Sequence, residues 1–292
     1  MKRTIPIPKN KPPDAILTAD WHLREDTPVC RTDDFEAEQW RKIENIKSLQ
    51  NNFKCPVFHA GDLFHHWKAS PRLITLTMRH LPDMFYTIYG QHDLPQHNIQ
   101  LAEKSGVNTL LEAGKIRLFP SGSWGEEPQP TFKYQEKIIG LWHHLTYLQK
   151  PFPGASGGMA EGILRKYPEL DLIVTGDNHQ SFTVKYKDRL LVNPGNITRQ
   201  AADQIDFKPC VYYWYADTNT AEPHYLPINK DVVTREHIVK KEQRDARIDA
   251  FISRLNTDWK TSLDFVENLK QFESVNKVKK EVMEIIYEAV EN

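Results

Sequence analysis

Cysteine is scarce in this 292-residue chain: Cys30, Cys55 and Cys210 stand far apart, and no Cys-x-x-Cys or short Cys/His cluster joins them. That excludes a zinc module or a disulfide framework and points to a reducing, intracellular setting. No run approaches 18 apolar residues, so no membrane-spanning helix is expected. The start, Met1-Lys2-Arg3 followed by Ile5-Pro6-Ile7-Pro8, is basic but has no apolar core and does not read as a signal peptide. Neither sign of charge is in excess: 38 Lys+Arg against 39 Asp+Glu leave a net charge of −1, with pI ≈ 6.9. Nucleic-acid binding would therefore need a local basic patch, or cations held by the protein itself. There is no internal repeat, no low-complexity tract, and no Gly-x-Ser-x-Gly elbow or other nucleophilic Ser or Cys motif.

What is present is an ordinary globular composition, 39% hydrophobic and 26% charged with mean hydropathy −0.60. The length suits one large domain, or a core of about 200 residues with an appendage. Short apolar runs alternate with helix-like stretches over the first 200 residues. Strands are expected at 15–19, 56–60, 84–89, 138–142 and 172–174, and helices over 34–52 and from Pro71 to near Pro82. Such alternation argues for an α/β sheet with helices packed outside it. From Phe182 to about Tyr225 the pattern turns to short β runs at 182–184, 190–192 and 211–215. Beyond Pro227, apolar residues recur at helical spacing: Ile248, Phe251, Ile252 and Leu255, then Leu263, Val266 and Leu269, then Val278, Val282, Ile285, Ile286 and Ala289. Residues 231–292 hold 11 Lys+Arg and 13 Asp+Glu, which disfavours a basic DNA-gripping arm and favours a docking or self-associating helical module. The expected organisation is a core over 1–205, a β-rich extension over 206–235 and a helical tail over 236–292.

Metal-ligating residue types sit where the expected strands end. Asp20 and His22 follow the first strand, Asp62 and His65 the second, and Gln91, His92 and Asp93 the third. His143 and His144 follow the fourth, and Asp177 and His179 the fifth. In an open α/β sheet the carboxyl ends of the strands face one crevice, so this series would deliver carboxylates and imidazoles to a single place. Residues i and i+2 of an extended segment point the same way, which would let Asp20 and His22, or Asp177 and His179, grip one ion together. Gly61, Gly90 and Gly176 would let the chain turn sharply and approach an ion or phosphate closely. Mixed carboxylate and imidazole donors suit Mn²⁺, Fe²⁺ or Zn²⁺.

The series Asp-x-His, Gly-Asp, Gly-Gln-His-Asp, His and Gly-Asp-x-His resembles the pattern of the calcineurin-like metallophosphoesterases. Asp20-Trp-His-Leu, Gly61-Asp-Leu-Phe-His65, Gly90-Gln-His-Asp-Leu-Pro and the loop Asn193-Pro-Gly-Asn196-Ile-Thr-Arg199 look most like the SbcD-type DNA repair nuclease branch. The likeness covers roughly residues 14–217. It implies a four-layer α-β-β-α sandwich. It also implies a first metal on Asp20, His22 and His179, with Asp62 bridging to a second completed by Gln91, His143 and Asp177. His143 is preferred to His144 because the ligand usually opens this segment. His92 would be the general acid beside the leaving group, and His65 its partner.

Two departures fall on the second metal: the family has Asn where this chain has Gln91, and His where it has Asp177. The change should favour Mn²⁺ over Zn²⁺, with Mg²⁺ or Fe²⁺ as further candidates. The activity implied is two-metal hydrolysis of phosphodiester bonds in DNA, with Asn196 and Arg199 touching substrate and Lys68, Arg72, Trp67, His97 and Asn98 as further DNA contacts. His59, His66, His80, His224 and His237 read as ordinary. The tail would meet an SbcC-type ATPase or a second copy, and its compactness suits a small or viral version of the nuclease. The alternatives are a phosphodiesterase or phosphatase of the same fold acting on small molecules or phosphoproteins, and a non-catalytic scaffold that keeps one metal.

Overall fold

The computed structural model describes residues 11–149, 156–256 and 265–291. The basic start at Met1-Lys2-Arg3 lies outside them, and Phe251, Ile252, Leu255 and Leu263 lie outside the residues whose side chains are described. In chain order the elements are β1 (Ala15–Thr18), α1 (Phe35–Phe53), β2 (Val57–His59), α2 (Pro71–His80), β3 (Phe85–Thr87), α3 (Gly106–Glu112), β4 (Arg117–Leu118) and β5 (Phe132–Tyr134). There follow β6 (Lys137–Trp142), β7 (Thr146–Tyr147), β8 (Gly158–Met159), α4 (Ala160–Lys166), β9 (Leu172–Thr175), β10 (Phe182–Tyr186), β11 (Arg189–Asn193), β12 (Cys210–Tyr215) and β13 (Thr220–Tyr225). Three helices close the chain: α5 (Glu236–Asn256), α6 (Phe265–Val275) and α7 (Lys280–Glu291).

The strands form two main sheets, not one. The first runs β13-β12-β1-β2-β3-β4, and the second β10-β11-β9-β6-β5; β7 and β8 pair separately. β1, β2, β3 and β4 are mutually parallel, as are β6, β9 and β11, while β12 joins β1 antiparallel with Leu17 opposite Tyr212. Residues 206–235 therefore supply two strands of the first sheet, one of them directly beside β1.

Alternation along each strand builds the layers. Ile16, Val57 and Phe85 pack with Ile43 and Ile46 of α1, Leu73 of α2 and Val107 of α3. Their neighbours Leu17 and Phe58 join Leu141, Leu172, Val174, Val192 and Trp214 between the sheets. On the outer face of the second sheet, Ile173 and Leu191 pack with Ile163 and Leu164 of α4. The order helix, sheet, sheet, helix is the four-layer sandwich. Strands covered on both faces read as unbroken apolar runs, which is why β1 and β9 carry almost no polar residue.

The helix starts follow local chemistry. Asp34 caps α1 by accepting from Ala37 N at 3.0 Å, and Ser70 caps α2 by accepting from Leu73 N at 3.0 Å ahead of Pro71. The chain divides into two compact units, Met1–Arg235 and Glu236–Asn292. The second contains α5, α6 and α7, and leaves Phe265, Val275 and Ile285 well exposed. Among the described residues, no helix is long and apolar enough to cross a membrane.

Candidate metal centre

The carboxyl ends of the parallel strands of both sheets meet at one edge of the sandwich, and the chain reverses direction there. Asp20, His22, Asp62 and Asp177 all take positive φ, from +45° to +70°, and Gly61 lies at +88°. For non-glycine residues this left-handed backbone costs of order 1 kcal/mol or more each. It also corrects the expectation that Asp20 and His22 share an ion because they alternate along an extended segment. Instead, Asp20 N and His22 N donate to the carbonyls of Gly61 and Asp62, both at 3.0 Å, so two tight turns are laced together.

The resulting cluster is buried and dense. His22 Nε2 is 3.2 Å from His179 Nε2 and 3.6 Å from Asp62 Oδ2, which in turn is 3.3 Å from His143 Nε2. Asp20 Oδ1 accepts from Asp177 N at 3.0 Å, joining the two sheets. Donor atoms of Asp20, His22 and His179 lie within 4.8 Å of one another, as do those of Asp20, Asp62 and His143, and those of His22, His65 and His92. Gly61 and Gly176 let the backbone pass close to His143: a Cβ on either would come within 2.7 Å of its Nδ1. At Gly90 a Cβ would strike Asp62 Oδ1 at 2.1 Å. His143 is thereby the member of the His143/His144 pair inside the cluster, whereas His144 stacks on Trp142 with centroids 4.0 Å apart.

Donor chemistry fits a divalent cation. Asp20 Oδ2 and His143 Nε2 are buried atoms without a hydrogen bond, a costly state for a polar group unless something else satisfies it. His143 Nδ1 donates to the Ala60 carbonyl at 2.7 Å, which turns Nε2 toward the carboxylates, the orientation a metal-ligating imidazole takes. Two nitrogens on one cation at ~2.0–2.1 Å stand roughly 3 Å apart, close to the His22–His179 spacing.

Electrostatics in the metal-free protein reflects the crowding. Burial raises the Asp20 carboxyl well above its ordinary range, His143 opposes that, and Asp62 adds to it. Burial also acts to raise Asp62, but His143 and His22 overcome it and hold the carboxylate well below its usual range. For His143, burial pulls downward while Asp62, Asp20 and Asp177 push it up to about 10. His22 is lowered well below its ordinary value, chiefly by burial.

The residues expected at the second metal also meet. Gln91 Nε2 donates to Asp177 Oδ1 at 2.9 Å, so the two positions that depart from the family pattern are partners of each other. His92 N donates to Asp62 Oδ1 at 2.8 Å, and His92 Nδ1 bonds the His65 carbonyl at 2.9 Å. His65 thus partners His92 through its backbone, with its ring stacked on that of His92 at 5.5 Å. Burial, then Arg24 and His92, lower the His65 imidazole to about 4.

Asn196 and Arg199, expected to touch substrate, are placed otherwise. Asn196 is fully buried and exchanges hydrogen bonds with Gln204, each at 3.2 Å. Arg199 is buried and donates to the carbonyls of Ile205 and Asn229, which pin the loop against residues near the end of the first unit. Arg72 is held by Glu25 and Glu36, and Asn98 caps the turn at Gln100. His59 bonds Thr87 Oγ1 at 2.8 Å, as a core histidine does.

Sequence reasoning gave Asp93 no role. Its fully buried carboxylate accepts from Leu63 N, Phe64 N and Gly90 N at 3.0–3.2 Å, tying the turn after β2 to the turn after β3. Burial, and then Asp62, push it up to about 7. Asp93→Asn would turn an amide N–H toward at least one backbone donor. It is expected to cost about 1–3 kcal/mol, read as a lower urea midpoint. An unchanged midpoint would mean the carboxylate does not hold the two turns.

A sequence model of the family described as Calcineurin-like phosphoesterase matches residues 15–181, the stretch that carries all seven expected ligands. Among solved structures the chain is similar to an archaeal phosphodiesterase, at 15% identity over 73% of this chain and 99% of that one, with TM-score 0.43. It is similar to vacuolar protein sorting 29 from Cryptosporidium parvum, at 17% identity over 74% and 97%, with TM-score 0.38. A metallophosphoesterase from Sphaerobacter thermophilus is similar at 9% identity over 74% and 89%, with TM-score 0.38. No curated protein matches the chain.

Proposed function

The chain belongs to the calcineurin-like phosphoesterase family, and on that premise we propose that it is a metal-dependent phosphodiesterase whose substrate is DNA, a nuclease of the SbcD type. Asp20, His22 and His179 would hold one divalent cation, Asp62 would reach both, and Gln91, His143 and Asp177 would hold the second. Oxygen-rich donors at the second position favour Mn²⁺. Such cations, when bound, supply Lewis acidity at phosphate oxygens and lower the pKa of water.

The observation that carries the reading is the fixing of His92. With Nδ1 donating to the His65 carbonyl and its backbone N–H on Asp62, the ring has a defined orientation, and as the imidazolium it would give its Nε2 proton to a departing oxygen. That arrangement depends on Gly61-Asp62-Leu63-Phe64-His65, the segment most like the nuclease branch. One observation favours a second reading, a phosphodiesterase of small molecules. Two of the groups expected to touch substrate, Asn196 and Arg199, are spent inside the fold. The exposed Phe265, Val275 and Ile285 support docking of an SbcC-type ATPase or a second copy on the tail.

The decisive assay offers Mn²⁺-loaded protein single-stranded DNA, double-stranded DNA and a chromogenic phosphodiester. Cleavage of DNA, lost in His92→Ala, supports the nuclease. Turnover of the small ester alone replaces it with the second reading, and silence on all three overturns catalysis.

Metal uptake itself carries a sign. Asp62, Asp20 and Asp177 push His143 up to about 10 against its burial, so below that pH a cation must displace its proton. Apparent affinity at that position is expected to rise with pH, by up to about tenfold per unit. Calorimetry in buffers of different ionisation enthalpy reads the released proton directly. Affinity independent of pH from about 6 to about 8 would contradict it.

A further inference from the structure

A cleft of about 350 Å³ borders the cluster at His143. Trp124, Trp142, His144, Glu126 and Glu127 wall it, and His143 completes the lining. His143 Nε2 is 3.3 Å from Asp62 Oδ2, so one residue belongs both to the lining of the cleft and to the cluster.

The walls are aromatic and fixed. Trp142 and His144 stack with their planes within 5° of parallel, and Trp142 Nε1 donates to the Glu126 carbonyl at 2.7 Å. Trp124 stands edge-on to His143, with centroids 6.1 Å apart, and edge-on to His97 on its other contact at 6.4 Å. Rings therefore follow one another from exposed His97 to buried His143. His97 and its neighbour Gln96 both take positive φ, at +55° and +53°, a backbone that costs free energy to hold. Beside Trp124, a Cβ on Gly125 would meet nothing within 4 Å, so the space there is open.

Charge narrows the occupant. Among the described residues no lysine or arginine lines the cleft, and Lys166 pairs with Glu127 at 2.6 Å from outside it. Glu126 remains as a carboxylate on the wall, which repels phosphate and accepts hydrogen bonds from amino groups. The matching group is flat, aromatic, uncharged and equipped with N–H donors, and it must be joined to a phosphate that reaches His143.

We propose that this cleft is a nucleobase subsite, in which Trp124 and the Trp142–His144 stack hold the base next to the scissile phosphate. The proposal rests on the phosphodiesterase reading and adds a contact to the base itself. Aromatic contacts hold bases with little sequence preference and are worth about tenfold or more in affinity each.

The test uses the full chain with Mn²⁺ and the deoxyadenosine dinucleotide, alongside two analogues in which the 5′ or 3′ base is replaced by an abasic tetrahydrofuran. One abasic analogue should show a kcat/KM about tenfold below the parent. In Trp124→Ala that ratio should fall toward one, and in Trp124→Phe it should persist. A merely structural Trp124 would lower both substrates together and leave the ratio unchanged, which overturns the proposal, as does a ratio of one in the unaltered protein. If no dinucleotide is cleaved, the nuclease reading fails separately, and calorimetry decides the subsite. Deoxyadenosine monophosphate should then bind about tenfold tighter than deoxyribose 5-phosphate, a difference lost in Trp124→Ala. Equal affinities would overturn the subsite.

Discussion

Replacing Asp62 with asparagine is expected to lower kcat/KM for phosphodiester hydrolysis by about 10³-fold or more and to remove at least one bound metal per chain. The substitution is nearly isosteric. Its Oδ1 can still accept from His92 N, where the carboxylate now accepts at 2.8 Å. What it removes is the single negative charge lying between His22 and His143, 3.6 and 3.3 Å away. Asp20 is the other carboxylate near both imidazoles, but burial disfavours its charge, so Asp62 is the anion that the two cation positions would share. Metal content by elemental analysis and thermal melting of the metal-free protein separate this loss from misfolding. Retention of two metals with activity within tenfold of the parent would remove Asp62 from its proposed bridging place.

His92→Ala should act differently. Metal content should stay the same, while kcat on DNA falls by about 10²–10⁴-fold, the usual range for removal of a general acid. The loss should shrink on a 4-nitrophenyl ester, because that leaving group departs without needing a proton. The contrast between the two substrates is the diagnostic. An equal loss on both would assign His92 to positioning of Asp62 through its backbone neighbourhood, and no loss on either would sink the general-acid role.

The parts of the molecule that could be read from sequence share a physical cause. β1, β2, β9 and β11 are covered on both faces and appear as unbroken apolar runs, so their ends could be located and the polar residues after them noticed. β13 is an edge strand with exposed residues and Pro223 within it, and its composition resembles a loop. Alternation of strands and helices could not reveal that β1, β2 and β3 belong to one sheet and β6 and β9 to another; that came with the resemblance. Asp20, His22, Asp62, His143, Asp177 and His179 were noticed by position and the fold brings them together, though for Asp20, His22 and Asp177 the extended-backbone argument gave way to left-handed turns. Burial was not visible, so Asn196 and Arg199 looked like substrate contacts when they are internal fasteners. Asp93 was noticed at a strand end, but its part in tying two turns was not, because its partners are backbone amides, which look the same in every sequence. Gln91 and Asp177 looked like two separate departures. They are 86 residues apart, and only the fold shows that the amide of one answers the carboxylate of the other.

The seam between the sheets has a mechanical meaning. Asp20, His22 and Asp62 hang from the first sheet, and His143, Asp177 and His179 from the second, joined directly by the Asp177–Asp20 bond. A cation held by both groups would be a clasp across that edge of the sandwich, and slippage of one sheet past the other would undo it. The chemistry and the alignment of the two sheets would thus be one property: whatever loosened the sandwich at that edge would disable the centre, and a cation filling the centre would hold the sandwich shut.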